Sequence, residues 1–380
     1  MIFFKHIIAP LILLLITIDI HAQDADFVWA NQGGNSSYTE GNVQVQNTDA
    51  GIITAGDFSD IAHFGAESIT ANGASDIFIC HFNEIGELEQ IESFGSENEE
   101  LLRFLNVDSE GNIIISIMFT DFITVGGIDF VSLGGQDVLL VKFNPDLSIQ
   151  WAKQYGTPLT DYVKGMDVDE DGNILVFGKF KNDIDFDDIT LTSAGSTDMY
   201  IAKINPDGDV VFAFNEGGSG YEDANSITTG PNNEFFISGV FYDETVVNGE
   251  SITTENTTGI FCAKYNDSGQ FQWIEVVDGT NLSPNVFLAA NVDGGVYMAG
   301  SFQDELVIGD QTLITGEFDM DVYVAKYSSE GEALWAGHGD GGASDLVTAL
   351  SCDVGGNVYL AGFYLDTIDF DGIIINYTLC

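Results

Sequence analysis

The alternation of hydrophobic and polar residues predicts short β-strands joined by tight turns. An alternating run at 163–168 leads into a turn rich in Asp and Gly, and an apolar run at 173–180 follows directly. Two such runs around a turn are typical of a β-hairpin. After a looser stretch, runs at 198–204 and 209–214 flank the sequence Asn-Pro-Asp-Gly at 205–208, which suits a type I turn. No run has the 3.6-residue period of a helix, so the stretch predicts four strands.

This pattern returns every 61 or 62 residues along the chain. The recurring positions are an Asp at Asp76, Asp137, Asp198 and Asp321, replaced by Gly259 in one copy; a Lys at Lys142, Lys203, Lys264 and Lys326, replaced by His81 in the first copy; and a Trp at Trp29, Trp151, Trp273 and Trp335. A fixed long period indicates an array of similar supersecondary units. Most conspicuous residues therefore belong to the repeat and not to a site.

The repeat predicts an all-β fold, namely a β-propeller with four-stranded antiparallel blades of about 61 residues. We expect five complete repeats and a partial sixth. Aromatic residues recur at the end of the second strand, where they can fill the space between neighbouring sheets: Phe58, Phe119, Phe180, Phe241, Phe302 and Tyr364. The alternative is a β-solenoid. Its shorter coils and parallel strands fit poorly with a hairpin in every copy.

The repeat resembles that of the bacterial SBBP-type β-propeller family. The family pattern Asp-x-Tyr/Phe-Val/Ile-Ala-Lys-Tyr, followed by Gly and Trp and then by Gly-Asn-Val/Ile-Tyr-x-x-Gly-x-Phe, is best matched at 321–336 and 356–364. The resemblance covers essentially the whole chain after the N-terminal segment. It implies a propeller fold and an exported, often surface-associated protein, and it is almost silent about activity.

Residues 1–22 predict a secretory signal peptide. Lys5 and His6 give a basic start, residues 7–18 are apolar, and Ala22 is a small residue at the cleavage point. A transmembrane helix requires about 20 apolar residues, and Asp19 interrupts this stretch. We therefore expect residues 23–380 to form one exported β-propeller domain without a membrane span. The expected location is secreted or at the surface of a bacterial cell, with the periplasm as the alternative.

The C-terminal copy lacks the strand that an Asp opens in the others. The segment at 26–34 corresponds to a fourth strand and is available to complete a last blade, but one strand is still missing. An unpaired sheet edge is a liability. The interpretation we favour is a chain truncated at its C-terminus, and the alternative is a ring that closes imperfectly.

The net charge of the chain disfavours some classes of binding partner. Asp and Glu number 60 against 10 Lys and Arg, for a formal net charge of −50. The 28 Phe and 13 Tyr argue for a folded core and against a disordered acidic chain. Strong negative potential disfavours nucleic acid and anionic membrane surfaces as partners. The acids indicate either solubility in a salty medium, which we favour, or binding of divalent cations.

Neither cysteine chemistry nor the usual catalytic motifs are indicated. The four cysteines, Cys80, Cys262, Cys352 and Cys380, occupy different positions in different copies, so we interpret them as small hydrophobic residues and not as a disulfide framework. A Gly-x-Ser-x-Gly elbow, a zinc-binding His-Glu-x-x-His motif and a phosphate-binding glycine loop do not occur in the sequence. A glycosidase with two carboxylates stays open, because it needs only one suitably spaced acid pair.

One turn resembles the start of an EF-hand calcium loop. Asp167, Asp169 and Asp171 alternate before Gly172, but position twelve is Gly178, where the motif needs a bidentate Glu. These three residues are the candidate calcium ligands, and calcium is the one cofactor considered. The alternative is a turn with solvated acids.

The recurrent lysines allow two interpretations. They could form a basic ring that binds an anion, or each could make a structural ion pair, perhaps with the Asp that opens its run. We favour the ion pair, because every copy has the lysine and functional sites usually break the symmetry of a repeat. The positions where this repeat departs from its pattern are Ile117 and Arg103 in copy two; Phe212, residues 231–233 and Gly259 in copy four; and residues 281–285 in copy five.

The function that we expect is that of an exported, non-enzymatic binding or scaffold module. Its ligand would be a protein or a glycan held by loops on one face of a rigid scaffold. The rival is a secreted carbohydrate-active hydrolase with paired carboxylates, because fold alone cannot distinguish the two.

Overall fold

The protein is described by a computed structural model at residues 33–34, 43–48, 50–279, 281–316, 319–365, 367–370 and 373–376. The chain divides into two compact units, Met1–Leu159 and Thr160–Cys380. The described residues contain no α-helix, and none of them forms a helix with the length and hydrophobicity needed to cross a bilayer. The predicted signal peptide at 1–22, Trp29 and Cys380 lie outside the described residues.

Unit 1 contains two four-stranded antiparallel sheets. Its strands are β1 (Gly33–Gly34), β2 (Val43–Thr48), β3 (Gly51–Phe58), β4 (Ile61–Phe64), β5 (Glu67–Thr70), β6 (Asp76–Phe82), β7 (Leu88–Phe94), β8 (Glu100–Val107), β9 (Ile113–Phe119), β10 (Phe122–Val125), β11 (Ile128–Val131), β12 (Asp137–Phe143) and β13 (Ile149–Tyr155). Sheet 1 has the order β2-β3-β6-β7, and sheet 2 has the order β8-β9-β12-β13. In each sheet the strands follow one another in chain order, with two short strands inserted between the second and the third.

Unit 2 continues the same pattern. Its elements are β14 (Tyr162–Val168), β15 (Ile174–Phe180), β16 (Asp183–Phe186), β17 (Ile189–Thr192), β18 (Asp198–Ile204), β19 (Val210–Glu216), β20 (Glu222–Thr229), a 3₁₀ turn (Pro231–Asn233), β21 (Phe235–Val247), β22 (Glu250–Tyr265), β23 (Phe271–Gly279), β24 (Phe287–Ala290), β25 (Val296–Phe302), β26 (Glu305–Ile308), β27 (Gln311–Ile314), β28 (Asp321–Tyr327), β29 (Ala333–Gly341), β30 (Leu346–Cys352), β31 (Val358–Phe363), β32 (Thr367–Phe370) and β33 (Ile373–Asn376). Sheet 3 is β14-β15-β18-β19, sheet 4 begins β20-β21-β22-β23, and sheet 5 begins β24-β25-β28-β29.

The four-strand order confirms the predicted antiparallel sheets, whereas the number of blades stays a prediction. One expectation needs correction. The stretch interpreted as loose between the second and third strands forms its own hairpin, such as β10–β11 or β16–β17. In sheet 4 the main strands β21 and β22 extend into this hairpin without a break. Each hairpin strand has only four residues, which is too short for a clear hydrophobic period.

The inserted hairpin also joins consecutive sheets within a unit. In unit 2, β26 pairs with the end of β23, and β32 pairs with the end of β29. In unit 1, Gly33 and Gly34 pair with β4 in the same manner. The two glycines therefore occupy the position of the end of a fourth strand, as predicted for the segment at 26–34. The earlier part of that segment lies outside the described residues.

The core lies between the sheets of each unit. All side chains of the central strands β6, β9, β12, β15 and β18 are buried, so these strands are apolar without alternation. In unit 1, Ile53 and Ile79 of sheet 1 pack in one cluster with Ile115 of sheet 2. A sheet covered on both faces requires this near-continuous hydrophobicity.

Candidate functional site

The three predicted calcium ligands lie at one turn but face different partners. The Asp167 carboxylate accepts hydrogen bonds from the backbone N–H and the hydroxyl of Thr229, at 2.8 and 3.0 Å. Asp169 lies 2.8 Å from the Lys203 ammonium, and Asp171 accepts a hydrogen bond from the Asn233 side-chain amide. Calcium at this turn stays a prediction, but these contacts favour a structural turn. Within the described ranges, no three His, Cys, Asp or Glu side chains are grouped as they would be around one metal ion.

The recurrent lysines make structural ion pairs. The distances between the lysine nitrogen and the acid oxygen are 3.0 Å for Lys142–Asp108, 2.8 Å for Lys203–Asp169, 2.8 Å for Lys264–Glu234 and 2.7 Å for Lys326–Asp293. Each acid lies at the turn between the first two strands. The suggestion that the Asp opening the third strand is the partner is therefore wrong. A β-bulge immediately after each lysine, as at Lys203/Ile204, helps to aim the side chain at the turn.

The pKa values of two of the paired residues reflect these contacts. Burial alone would lower the pKa of Lys203, but the bonds to Asp169 and Asp267 outweigh it and raise the pKa. Burial would raise the pKa of Asp108, but the Asn112 side chain and the Lys142 ammonium lower it. Each shift favours the charged form of that residue. Lysines engaged in this way are poorly suited to bind an external anion.

The Asp that opens each third strand is a buried hydrogen-bond acceptor. Asp76, Asp137, Asp198 and Asp321 are each 0% exposed. Asp137 and Asp198, for example, accept hydrogen bonds from the backbone N–H groups of Leu133 and Ala194, four residues earlier. This bond fixes the chain as it returns from the inserted hairpin. The residues are part of the repeat and are inaccessible to a large substrate.

Sheet 4 departs from this pattern in a compensated way. Gly259 replaces the opening Asp, and its direct cross-strand partner is Asp278. In sheet 3 the acid and the glycine are exchanged. Met199 pairs with Glu216, so Asp198 of the third strand lies opposite Gly217 of the fourth strand. The carboxylate has moved from one strand to its neighbour. This departure preserves an acid and does not create an open site.

A different departure from the repeat produces an exposed group of aromatic and charged side chains in unit 2. We call it the Tyr–Lys cluster, and its members are Tyr162, Lys164, Lys179, Tyr221, Asp223 and Tyr242. Five of them lie in the first two strands of sheets 3 and 4, and Tyr221 directly precedes β20. Tyr162 and Lys179 are direct cross-strand partners on β14 and β15. Lys164 occupies a β-bulge in β14, a feature that redirects a side chain.

Lys179 is the centre of the cluster. Its ammonium donates a hydrogen bond to the Tyr221 hydroxyl at 2.8 Å and lies 3.0 Å from the Asp223 carboxylate. It also lies 5.0 Å from the ring centroid of Tyr162 and 5.2 Å from that of Tyr221, which are cation–π distances. Burial would lower the pKa of Lys179, but its bonds to Tyr221 and Asp223 raise it. The cation is therefore permanent near neutral pH.

The outer part of the cluster is open to solvent. Tyr221 is 39% exposed and Tyr242 is 45% exposed, and their ring centroids are 6.0 Å apart. Lys164 approaches Asp223 at 3.6 Å and the Tyr162 ring at 5.7 Å. The buried Lys179 thus holds Tyr221, and the ring of Tyr221 packs beside that of Tyr242. Such a surface offers aromatic faces together with hydrogen-bonding groups.

The sequence interpretation missed this cluster. At the corresponding positions of the neighbouring copies, Lys179 is replaced by Met118 and Val240, and Tyr221 by Thr160 and Leu282. The signal was available, since a lysine between two apolar equivalents breaks the repeat. Arg103, which is unusual in the sequence, occupies the β-bulge position in β8 of sheet 2 that Lys164 occupies in β14 of sheet 3.

Residues 150–179 match the SBBP beta-propeller repeat. The chain is also 21% identical, over 90% of its length, to an uncharacterized WD repeat-containing protein of Acanthamoeba polyphaga mimivirus. It spans 31% of the length of that relative. The two matches support a β-propeller repeat protein. The predicted resemblance to the SBBP repeat is confirmed over the matched residues.

A solved structure of a protein of unknown function from Bacteroides caccae, determined at 1.35 Å resolution, is also similar to the chain. The identity is 12%, the alignment covers 69% of this chain and 89% of the other, and the TM-score is 0.27.

Proposed function

We propose that the chain is a non-enzymatic β-propeller module that binds a partner protein through the Tyr–Lys cluster. The carrying observation is the departure of this cluster from the repeat. The position of Lys179 holds Asp57, Met118, Val240 and Ser301 in other copies, so a cation bound to an exposed tyrosine is particular to this sheet. Tyr is among the residues enriched in protein interfaces, where it combines a large apolar face with a polar tip.

The geometry favours a binding surface that is rigid before the partner arrives. Tyr221 is held by its hydrogen bond to Lys179, and Lys179 is itself held by Asp223. A preorganised aromatic group loses little conformational entropy on binding, so more of the contact energy contributes to affinity. Glycan binding is the alternative ligand class for the same surface.

The rival hydrolase finds little support in the described carboxylates. The repeated opening acids, such as Asp198 and Asp321, are 0% exposed, whereas a glycosidase places two carboxyl groups on either side of a bound sugar. Export, a location secreted or at the bacterial cell surface, and the periplasmic alternative remain part of this proposal. Export rests on the sequence of residues 1–22, and the surface location rests on the resemblance to the SBBP-type family. A calcium cofactor at Asp167, Asp169 and Asp171 also stays a prediction.

The proposal is tested by separating binding from turnover. The immobilised chain is presented with a panel of extracellular proteins from its source and with a glycan array, and captured glycans are examined for cleavage. We expect saturable binding of a protein without chemical change. Binding of a glycan alone would replace the protein ligand with a sugar, and glycan cleavage would overturn the non-enzymatic assignment.

A further inference from the structure

Unit 2 contains two buried carboxylate pairs that the repeat brings together. Asp198 is followed 24 residues later by Glu222, and Asp321 is followed at the same interval by Asp345. In each case a backbone hydrogen bond connects the second acid to the residue that precedes the first acid. The Glu222 N–H donates to the carbonyl of Thr197 at 3.2 Å, and the Asp345 N–H donates to the carbonyl of Met320 at 2.6 Å. All four carboxylates are 0% exposed.

Each pair has oxygen atoms that lack a hydrogen-bond donor. These atoms are Asp198 Oδ1 and Glu222 Oε2 in one pair, and Asp321 Oδ2 and Asp345 Oδ2 in the other. The other oxygens are bonded. The Gly218 N–H donates to Glu222 Oε1 at 3.3 Å, and the Gly341 N–H donates to Asp321 Oδ1 at 3.1 Å. Each pair therefore combines oxygens fixed by the backbone with oxygens that make no hydrogen bond of good geometry.

The two carboxylates of a pair lie beside the same glycine or beside adjacent glycines. Gly341 donates its N–H to Asp321, and a Cβ on the same glycine would lie 2.4 Å from Asp345 Oδ2. Gly218 donates its N–H to Glu222, and a Cβ on Gly217 would lie 2.9 Å from Asp198 Cγ. Burial raises the pKa of Glu222, and the charge of Asp198 raises it further. Burial also raises the pKa of Asp321, to about 7, with additional contributions from Asp340 and Asp345.

No protein cation offsets these charges. The salt bridges of the described chain include none of the four carboxylates. The recurrent lysines of the same sheets are already paired, Lys203 with Asp169 and Lys326 with Asp293. A buried carboxylate without a counter-charge costs several kcal/mol. A proton or a bound cation would stabilise two of them side by side.

We propose that the Asp198–Glu222 and Asp321–Asp345 pairs each bind one divalent, oxygen-preferring cation of the calcium class. Oxygen is the only donor element that the four side chains offer. Calcium accepts a flexible set of carboxylate, carbonyl and hydroxyl oxygens, so two carboxylates suffice as the charged ligands. Magnesium demands a stricter octahedral geometry and gives up its water reluctantly.

A third oxygen supports the first site. Thr245 Oγ1 is 0% exposed and makes no hydrogen bond of good geometry, yet it lies close enough to Glu222 to lower that pKa. A buried hydroxyl beside two buried carboxylates adds one more neutral oxygen ligand for a hard cation.

Unit 1 provides an internal contrast. Asp76 and Glu100 have the same spacing of 24 residues, and both lie within 2.7 Å of the position of a Cβ on Gly95. Their oxygens are bonded, however, by the Asn72 and Ser96 groups. This pair is not among those proposed to bind a cation. The repeat therefore contains a bonded and an unbonded version of the same acid pair.

The test uses the full chain, freed of metal with a chelator, and calcium as the probe. Calcium binding is measured by titration calorimetry, and thermal unfolding is compared in calcium and in magnesium at matched ionic strength. We expect a higher melting temperature in calcium. We also expect Asp198→Asn and Asp321→Asn each to remove one bound ion, and the double variant to remove both. The matched control is Asp146→Asn, which removes the same charge at an exposed turn.

Two further measurements keep the test decisive if a variant folds poorly. Glu222→Gln and Asp345→Asn change the opposite member of each pair and should remove the same ions. The metal content of the purified wild-type chain should include calcium. Identical unfolding curves in calcium and chelator would overturn the proposal. So would calcium binding that is lost in Asp171→Asn and retained in all four pair variants, because it would assign the ion to the turn at 167–171.

Discussion

At the scale of single residues, the recurrent lysine links two turns. Lys203 contacts Asp169 in its own sheet and Asp267 in the next sheet of unit 2. Lys264 similarly donates to the carbonyls of Gly294 and Ser329, which belong to sheet 5. The sequence predicted a structural ion pair, because the lysine recurs in nearly every copy. It could not identify the acid, because several acids of each copy lie at compatible positions.

Replacing Lys203 tests this role. Lys203→Met should lower the free energy of unfolding by about 3 kcal/mol, because it leaves the fully buried Asp169 carboxylate without its counter-charge. Urea unfolding measures the change. Lys181→Met is the control, since Lys181 is exposed. Equal stability of the two variants would contradict a structural role for the ion pair.

The Tyr–Lys cluster shows where residue-scale prediction failed. Sequence reasoning looked for departures among the recurrent Asp, Trp and turn positions, and so noted Gly259 and Phe212. Lys179 lies at a position that varies among the copies, with Met118 and Val240 in the two adjacent ones. Its importance depends on Tyr221 and Asp223, which are about 40 residues away and meet it only in the folded sheets.

At the scale of the elements, glycine and tryptophan join neighbouring sheets. Gly331 has a φ of +90°, and a Cβ there would lie 2.9 Å from Cδ2 of Trp273 in the preceding sheet. The Trp273 indole N–H donates to the carbonyl of Ser329 in the same turn. The Gly and the Trp that follow the third strand in the repeat pattern therefore contribute to packing between sheets. Strand order was predictable from this regularity, whereas the inserted hairpins were too short to show a period.

Substituting the glycine tests the packing. Gly331→Ala should destabilise unit 2 by about 2 kcal/mol, because it combines a left-handed backbone with a clash against an indole ring. Thermal unfolding followed by tryptophan fluorescence measures the loss. Gly249→Ala is the matched control, since Gly249 also has a left-handed φ of +76° and a Cβ at that position meets no atom within 4 Å. If both substitutions have the same effect, the turn does not depend on the contact with Trp273.

At the scale of the whole molecule, acidic residues lie both on the surface and in the interior. The formal net charge is −50, yet several acids are fully buried, among them Asp321 and Asp345. Composition predicted the acidic surface. It could not reveal the buried acids, because their burial follows from the packing of sheets and not from the number of carboxylates.

The buried acids predict an unusual pH dependence for the metal-free chain. The pKa of Asp321 is raised from 3.8 to about 7, and that of Asp345 from 3.8 to about 6, chiefly by burial. Between pH about 4 and pH about 7, the folded chain therefore binds more protons than the unfolded chain. The free energy of unfolding should therefore fall as pH rises from about 4 to about 7 and level off above that range.

Chelator-treated protein melted across this pH range provides the measurement. The melting temperature should drop by at least about 3 °C, and the Asp321→Asn/Asp345→Asn variant should show a shallower slope. Asp207→Asn, at an exposed turn, should retain the wild-type slope. A melting temperature that rises with pH over the same range would mean that ion-paired acids dominate and that these two carboxyls are not raised.

The binding function also belongs to the whole molecule, because it requires two sheets to present one surface. The most direct measurement compares the affinity of the captured protein partner for the wild-type chain, for Tyr221→Ala/Tyr242→Ala and for the control Phe122→Ala. Phe122 is 41% exposed on an inserted hairpin, so it matches the tyrosines in exposure. We predict that the double tyrosine variant weakens binding at least about tenfold and that the control has wild-type affinity. Unchanged affinity in the tyrosine variant would contradict the assignment of the Tyr–Lys cluster as the binding surface.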